Sequence, residues 1–318
     1  MARSGIDGYF MVSERGSTYG REILAGLTTF MTMAYILIIH PNWMAAAGMD
    51  HGASVVVTAL MSGLFSLLMG LYAKLPFALA PAMGGNAFFA FTLVKGGIVP
   101  WEVGMGMVFI SGTVFVLLTV FGIRELIVRL VPKSIKFAIG AAVGMFIAYL
   151  GMRDAGLVAF TSTGVRIGGL GDPKAVLALV GLFITGTLLA RKTPGGILLG
   201  ILITAAIGIP MGITKLPGAF FAMPASIEPI AFKLDILGAL KIEYIPFMFT
   251  FFTGDFFSTL GTVLGVSQKA GLLDKDGNLP EIGKPFLVDA VGTVVGAAFG
   301  STTITTYIES ASGVEAGG

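Results

Sequence analysis

Residues Pro76–Val94 read PFALAPAMGGNAFFAFTLV, an uncharged stretch long enough to cross a bilayer but poorly suited to a continuous helix. Pro81 lacks a backbone donor, and the two adjacent glycines that follow it each weaken a helix by about 1 kcal/mol relative to alanine. Because backbone at membrane depth must be hydrogen-bonded, an irregular stretch survives only where protein or a cavity covers it. The pattern predicts an extended piece over Phe77–Ala82, followed by a half-helix that begins near Asn86.

A second stretch of this kind, STTITTYIESASGV, occupies Ser301–Val314. Five of the seven residues from Ser301 to Tyr307 are β-branched, which favours an extended strand, and the small residues after Glu309 suit a helix start. Pairing of the two extended pieces would satisfy backbone groups that a broken helix leaves bare in the bilayer. The sequence therefore predicts that Phe77–Ala82 and Thr302–Tyr307 pair as short antiparallel strands.

The composition of the whole chain indicates a multi-pass membrane protein. Of 318 residues, 55% are hydrophobic and only 12% are charged, and the mean hydropathy is +0.90. A net charge of +2 without a basic cluster gives no sign of a nucleic-acid partner, and the absence of cysteine excludes disulfides, thiol chemistry and cysteine metal sites. The segments predicted to cross the membrane are Ile23–Ile39, Ala53–Tyr72, Phe77–Val94, Val103–Phe121, Ser134–Met152, Ala175–Ala190, Gly195–Met211, Tyr244–Val266, Leu287–Gly300 and Ser301–Val314.

Loop charge predicts a cytoplasmic N-terminus. With that orientation the inside loops hold thirteen of the twenty Lys and Arg residues, and the outside loops hold seven. The first 22 residues are predicted to be a polar cytoplasmic tail rather than a cleavable signal peptide. Arg124–Lys133 is predicted to be an amphipathic helix at the membrane interface, and Leu216–Lys241 an ordered loop.

The two interrupted segments are the third and the tenth, and their separation by seven predicts repeats of seven spans that are inverted in the membrane. Interrupted segments at corresponding places in inverted halves are a pointer to a transporter's binding site. The alternative is that Gly and Pro only kink ordinary packed helices, which is common in membrane proteins.

Three polar residues are predicted to line one cavity near the middle of the membrane. Asp255 lies near the centre of the eighth segment, where a carboxylate must face the bundle interior or water. Glu309 follows the extended part of the tenth segment, and Asn86 follows that of the third. A carboxyl group held away from water can carry a proton or accept hydrogen bonds from a ligand, so Asp255 and Glu309 are candidates for both tasks. The predicted substrate-binding residues are Asn86, Asp255 and Glu309 with the neighbouring Ala82, Gly84, Gly85, Ile308 and Ser310.

An asparagine and two carboxyl groups match a flat heterocycle edged with N–H and C=O groups. Asp289, near the start of the ninth segment, is interpreted as a structural cap or a tie between helices, and His40 and His51 as interface histidines. Asp274–Gly277 resembles part of a calcium loop but is interpreted as a turn, and no catalytic residue, metal or cofactor is predicted. The string Gly169–Asp172 spells the GxGD of intramembrane aspartyl proteases but is followed at once by proline and has no evident partner aspartate.

Four strings resemble the AzgA-like adenine/guanine/hypoxanthine permeases of the xanthine–uracil permease, or nucleobase–ascorbate transporter, group. The strings are GREILAGLTTFMTMAYILIIHP (Gly20–Pro41), LAPAMGGNAFFAFT (Leu79–Thr92), STLGTVLGVSQKAGLLDKDGNLP (Ser258–Pro280) and DAVGTVVGAAFGSTTITTYIESASGV (Asp289–Val314). The resemblance implies an all-α polytopic fold of fourteen spans in two inverted seven-span repeats, with short strands in spans 3 and 10. It also implies proton symport of purine nucleobases by elevator-like alternating access, with substrate held by Asn86, Asp255 and Glu309 and protons coupled through Glu309 and Asp255.

The resemblance also assigns domains. They are a cytoplasmic tail (1–22), core-domain spans 1–4 (23–121), gate-domain spans 5–7 with their loops (122–243) and core-domain spans 8–10 (244–318). The chain departs from the family pattern where Ser258 replaces an acid and where Gly85 replaces a bulkier residue. It also ends after the tenth span, so about ten of fourteen spans are expected here and the chain is interpreted as truncated.

The expected partners are a purine nucleobase, protons and the lipid bilayer of the cell membrane, with a homodimer allowed for. The sequence does not choose among the purines, nor between proton and sodium coupling from the residues alone. The alternative function is an anion transporter of the related sulfate-carrier fold, which two acids at the site oppose.

Overall fold

The computed structural model describes residues 5–123, 151–161, 164–169, 171–191, 195–214, 223–275 and 279–318, with isolated positions at 132, 138, 141, 145, 148, 149 and 193. Most of the fifth predicted segment (Ser134–Met152) and almost all of the interfacial helix Arg124–Lys133 lie outside the described residues. So do parts of the loop Leu216–Lys241 and of the strings Asp274–Gly277 and Gly169–Asp172.

The described chain is mostly helical and divides into two compact units. The first comprises Met1–Phe30, Ile36–Gly140 and Pro224–Gly318, and the second Met31–Tyr35 and Ala141–Met223. The helices are α1 (Ile6–Phe10), α2 (Tyr19–Met33), α3 (Ile36–Ala46), α4 (His51–Leu68), α5 (Met83–Ala87), α6 (Trp101–Val120), α7 (Pro173–Ala190), α8 (Gly196–Gly208), α9 (Ile236–Ala239), α10 (Ile245–Lys269), α11 (Gly283–Phe299) and α12 (Ser310–Glu315). Two of them continue as π-helical turns, α4 over Met69–Ala73 and α5 over Phe88–Val94, and a 3₁₀ turn, Ile242–Tyr244, leads into α10.

Several helices are long and apolar enough to cross a membrane. Within the described residues there are five such stretches, Tyr19–Ala46, His51–Ala73, Trp101–Val120, Pro173–Ala190 and Ile242–Lys269, and two shorter apolar helices, Met83–Val94 and Gly196–Gly208. The first predicted segment, Ile23–Ile39, proves longer than expected and is interrupted between α2 and α3.

The two interrupted segments pair as antiparallel strands, as the sequence predicted. Strand β1 (Leu79–Pro81) and strand β4 (Ile304–Thr306) lie in the register Leu79 to Thr306 and Pro81 to Ile304. The pairing continues beyond both ends, because Ala82 N donates to Thr303 O at 2.7 Å and Tyr307 N donates to Ala78 O at 2.9 Å. The crossing thus spans most of the two predicted extended pieces.

The half-helix α5 begins at Met83, three residues before the predicted start near Asn86. Asn86 N donates to Ala82 O at 2.8 Å, which is already a helical i to i−4 bond. The adjacent glycines therefore lie inside the first turn, where their low helix propensity is overridden by the strand crossing that fixes the chain just before them.

Side chains form hydrogen bonds with the backbone groups on the outer edges of both strands. In a soluble protein, water would take this place. On the β1 edge, Ser66 Oγ accepts from Leu79 N at 2.8 Å and lies 3.2 Å from Leu79 O. On the β4 edge, Ile304 N donates to Thr293 Oγ1 at 3.1 Å and Thr306 N donates to Asp289 Oδ1 at 3.2 Å. Backbone groups left bare at membrane depth cost several kcal/mol each, so these four contacts allow a non-helical crossing to persist there.

Small residues let α6 and α11 approach closely behind the strands. A Cβ at Gly112 would lie 2.8 Å from Thr293 Cγ2, and Cβ atoms at Gly292 and Gly296 would lie 3.1 and 2.8 Å from the side chain of Ile304. Close approach of this kind is how helices associate without a hydrophobic driving force between them. The side chain of Thr293 is thereby held between α6 and the strand.

The second unit contains a β-hairpin that the sequence analysis did not predict. Strand β2 (Val158–Thr161) pairs antiparallel with β3 (Gly164–Ile167), so strands are not confined to the third and tenth segments. In the same unit α7 and α8 pack through small residues, since a Cβ at Gly181 would lie 2.7 Å from the side chain of Thr204. The connection between the fifth and sixth predicted segments is therefore ordered by its own short sheet.

Candidate functional site

Asp255 lies in the middle of α10 and is buried, with 5% of its surface exposed. Its Oδ2 accepts a hydrogen bond from Thr293 Oγ1 of α11 at 3.0 Å. Thr293 in turn contacts the backbone of Ile304 in β4, so the carboxyl group is joined to the strand crossing through one hydroxyl. The prediction that Asp255 faces the bundle interior is confirmed.

Asn86 lies in the first turn of α5 and is fully buried. Its Oδ1 accepts from Thr302 Oγ1, which lies two residues before β4. Its Nδ2 is buried and has no hydrogen-bond partner among the residues that the structure describes. The amide therefore offers a donor at the place where the two interrupted segments meet.

Asp289 on α11 is fully buried and ties three elements together. Its Oδ1 accepts from Thr259 Oγ1 of α10 at 2.8 Å and from Thr306 N of β4 at 3.2 Å. Thr259 Oγ1 also lies 2.7 Å from Thr305 Oγ1. These contacts support the interpretation of Asp289 as a tie between helices, and they extend the tie to the strand.

Helices α10 and α11 thus exchange two matching Asp–Thr hydrogen bonds. Asp255 and Thr259 are four residues apart on α10, and Asp289 and Thr293 are four residues apart on α11. Residues at that spacing share a helix face, so each helix presents one acid and one hydroxyl to the other. Both bonded pairs also contact β4, and we refer to these four residues as the Asp–Thr clasp.

The other predicted site residues lie around the crossing in different environments. Ser310 is buried and accepts from Ala78 N at 3.0 Å through its Oγ, so it supports the approach to β1. Glu309 is half-buried and immediately precedes α12. Ala82 is buried, Gly84 and Gly85 are half-buried, and Ile308 is 56% exposed. The structure therefore links Asn86 and Asp255 to the same short segment, Thr302–Ile304, and turns Ile308 outward.

Gly85 lies close to its neighbour in the crossing. A Cβ at this position would lie 2.7 Å from Thr303 Oγ1, closer than real Cβ contacts. The Thr303 hydroxyl is itself buried without a hydrogen-bond partner among the described residues. The glycine thus makes room for a hydroxyl beside Asn86.

His40 packs against a neighbouring helix, a contact that the sequence interpretation did not predict. It is fully buried within α3, and its Nδ1 lies 2.8 Å from Thr58 Oγ1 of α4. Thr58 donates its own proton to Ser54 O at 2.5 Å, so His40 Nδ1 is the donor in the contact with Thr58 Oγ1. His51, in contrast, is exposed and contacts Asn42, as an interface residue would.

Sequence reasoning missed the hydroxyl residues that hold this site. They are Ser66, Thr259, Thr293 and Thr302, together with Tyr307, whose hydroxyl donates to Pro81 O. Single hydroxyls in apolar helices are common and give little signal alone. The signal that could have found the two clasp threonines is their four-residue spacing from Asp255 and Asp289.

The chain is similar to known transport proteins over nearly its whole length. Residues 20–318 match the model of the xanthine/uracil permease family. Adenine permease AdeQ of Escherichia coli is 39% identical over 310 residues, which cover 97% of this chain and 70% of AdeQ. Guanine/hypoxanthine permease PbuG of Bacillus subtilis is 37% identical over 321 residues, which cover 97% of this chain and 73% of PbuG.

A solved structure shares the fold. The transmembrane domain of a cyanobacterium bicarbonate transporter, BicA, superposes with a TM-score of 0.62 over 94% of this chain and 77% of that domain, at 14% sequence identity. At that identity the likeness concerns the mostly helical architecture alone. Together with the apolar helices and the match over residues 20–318, it identifies a multi-pass membrane protein, and the chain belongs to the xanthine/uracil permease family of nucleobase permeases.

Proposed function

We propose that this protein imports purine nucleobases, the substrates being hypoxanthine, guanine or adenine, by symport with protons. The observation that carries the proposal is that a buried amide donor, Asn86, and a buried carboxyl group, Asp255, are both linked to the non-helical segment Thr302–Ile304, Asn86 directly and Asp255 through Thr293. The family membership and the purine permeases among the relatives support the substrate class.

The polar groups at the crossing suit a purine edge. A purine presents ring N–H groups that a carboxylate accepts and ring nitrogens or a carbonyl that an amide N–H can reach. Bonds to a charged acceptor are stronger than neutral ones, so Asp255 would supply most of the discrimination for N–H groups. The alternative function is transport of an inorganic anion. The two acids Asp255 and Glu309 would repel such an anion, so this alternative is disfavoured.

The same proposal includes the residues that couple the proton, the transport motion and the orientation of the chain in the membrane. Glu309 and Asp255 would share the coupled proton, so that one stays neutral while the other accepts from purine N–H groups. The core spans (23–121 and 244–318) would move against the gate spans (122–243) in an elevator-like cycle. The N-terminus would be cytoplasmic, as the loop charge predicts.

Uptake of labelled hypoxanthine into cells that lack their own purine permeases tests the proposed function. We expect uptake above that of empty cells, with adenine, guanine and hypoxanthine competing and with uracil, bicarbonate and sulfate failing to compete. Each purine shares with hypoxanthine a two-ring frame edged by N–H groups and ring nitrogens; uracil has N–H and C=O groups but lacks the second ring, and the anions have no N–H group. Competition by bicarbonate or sulfate but by no purine would assign the anion function instead.

Replacement of Glu309 by glutamine is expected to uncouple uptake from the proton gradient. Glutamine keeps the size and the hydrogen-bonding capacity of the side chain but cannot release a proton. We expect the variant to lose the roughly tenfold accumulation that one pH unit of gradient can support. The measurement is hypoxanthine uptake with and without an imposed gradient, and gradient-driven accumulation equal to that of the unmodified protein would remove Glu309 from the coupling.

A further inference from the structure

The hydroxyl of Thr293 has one proton and two acceptors within reach. Oγ1 lies 3.0 Å from Asp255 Oδ2 and 3.2 Å from Ile304 O, and it accepts from Ile304 N at 3.1 Å. A threonine hydroxyl donates one hydrogen bond and rotates to suit its surroundings. The bond from Ile304 N persists in either rotation, so only the destination of the Thr293 proton changes.

The charge of Asp255 decides between the two acceptors. A carboxylate is a stronger acceptor than a backbone carbonyl, so the hydroxyl turns to Asp255 while that group is charged. When Asp255 is neutral, or when a ligand N–H occupies its oxygens, the carbonyl of Ile304 becomes the better acceptor. The hydroxyl then bonds both the N–H and the C=O of the same strand residue, which holds β4 more firmly to α11.

We propose that Thr293 is a positioning residue that couples the protonation and ligand state of Asp255 to the strand β4. The inference rests on the proposed function, in which Asp255 binds substrate and proton, and adds the route by which that event reaches the tenth segment. The bond between Asp289 and the strand does not change in this way, because Asp289 Oδ1 accepts from Thr306 N in either charge state of Asp255.

Other titratable groups lie on the elements around α10, so the experiment must distinguish their titration from that of Asp255. The elements packed against it are α5, α6, α11, α12, β4 and the 3₁₀ turn. On these elements and their immediate connections the central titratable side chains are Asp289, Tyr307 and Glu309. Those in the first or last turns are Glu102, Glu243, Tyr244, Lys284 and Glu315. Glu315 is paired with Lys269 at the end of α10, and Lys284 is paired with Glu281.

The test compares Thr293→Val with Thr259→Val. Both threonines are buried, both donate to a buried aspartate and both contact the strand, so the pair is matched in burial and chemistry. Hypoxanthine uptake is measured over an acid-to-alkaline series and normalised to the folded protein in the membrane. Loss of a donor to a charged carboxylate makes the group hold its proton more tightly, by about tenfold for a bond of about 1.4 kcal/mol.

We expect Thr293→Val to move the pH of half-maximal uptake upward by about one unit, Thr293→Ser to restore it, and Thr259→Val to leave it in place. An unchanged midpoint in Thr293→Val, or an equal shift in Thr259→Val, would overturn the inference. Where valine prevents folding, Thr293→Cys serves, because its thiol is a weaker donor and should move the midpoint in the same direction by less.

The two proposals fail in distinguishable ways. If the unmodified protein takes up no hypoxanthine, or takes it up with no dependence on pH, the proposed function fails. If the unmodified protein shows pH-dependent uptake and Thr293→Val shares its midpoint, only the role of Thr293 fails.

Discussion

Replacement of Asp255 by asparagine is expected to abolish purine uptake while the protein stays folded. Asparagine retains an Oδ1 that can accept from Thr293 Oγ1, so the link to α11 and β4 survives. The amide cannot exchange a proton, and it presents an NH₂ group where the carboxylate presents an acceptor. A hydrogen bond from a purine N–H to a charged group contributes about 1.5–3 kcal/mol, so its loss weakens binding by about 10- to 150-fold.

The measurement is binding of labelled hypoxanthine to purified protein, together with uptake in cells. Asp289→Asn is the matched control, since Asp289 is equally buried and acidic and lies on the facing helix. We expect the control to bind hypoxanthine within a few-fold of the unmodified protein. Binding by Asp255→Asn as tight as that of the control would show that Asp255 is not a substrate ligand.

Replacement of Asp289 by leucine is expected to destabilise the fold rather than to change specificity. Leucine removes the acceptor of Thr306 N, and an unsatisfied buried donor costs about 1–3 kcal/mol. Thr259 can turn to Thr305 Oγ1, so the amide of the strand bears most of the loss. The expected result is a lower yield of folded protein and a lower midpoint of thermal unfolding in detergent.

Asp289→Asn separates the loss of the acceptor from the loss of the charge. Asparagine keeps the oxygen that Thr259 and Thr306 N contact, so its unfolding midpoint should lie much nearer to that of the unmodified protein. If the asparagine and leucine variants unfolded at the same temperature, the charge of Asp289, rather than its bond to the strand, would be the stabilising feature.

The strand crossing could be predicted from the sequence because two local signals agreed. Pro81 cannot donate within a helix, and the β-branched run at Thr302–Thr306 favours extended backbone. The predicted helix start near Asn86 was wrong by three residues, since the helix begins at Met83. Helix propensity alone disfavours the two glycines, whereas the strand pairing just before them sets the boundary. The hairpin β2–β3 was missed because its strands lie in a polar connection that hydropathy does not distinguish from a loop.

The acidic residues of the site could be predicted from the sequence, but its hydroxyl residues could not. A carboxylate in an apolar segment is costly, so Asp255 stood out in the sequence. Thr293 carries no such cost, and its importance comes from α6 and β4 closing around it, which is a property of the packing. The same reason explains His40, whose burial depends on its fit to Thr58 rather than on its place at the end of a segment.

The pairing of β1 with β4 also sets the order in which the molecule can mature. The two strands are separated by more than 220 residues, so β1 leaves the ribosome long before its observed partner exists. At about 5–20 residues per second, the wait is roughly 10–45 seconds. During that time the backbone of Leu79–Pro81 must be sheltered from lipid by other means, such as water or the insertion machinery. The purine recognition proposed above could therefore begin only after the tenth segment has been made, and damage to β4 should appear as failed biogenesis before it appears as failed transport.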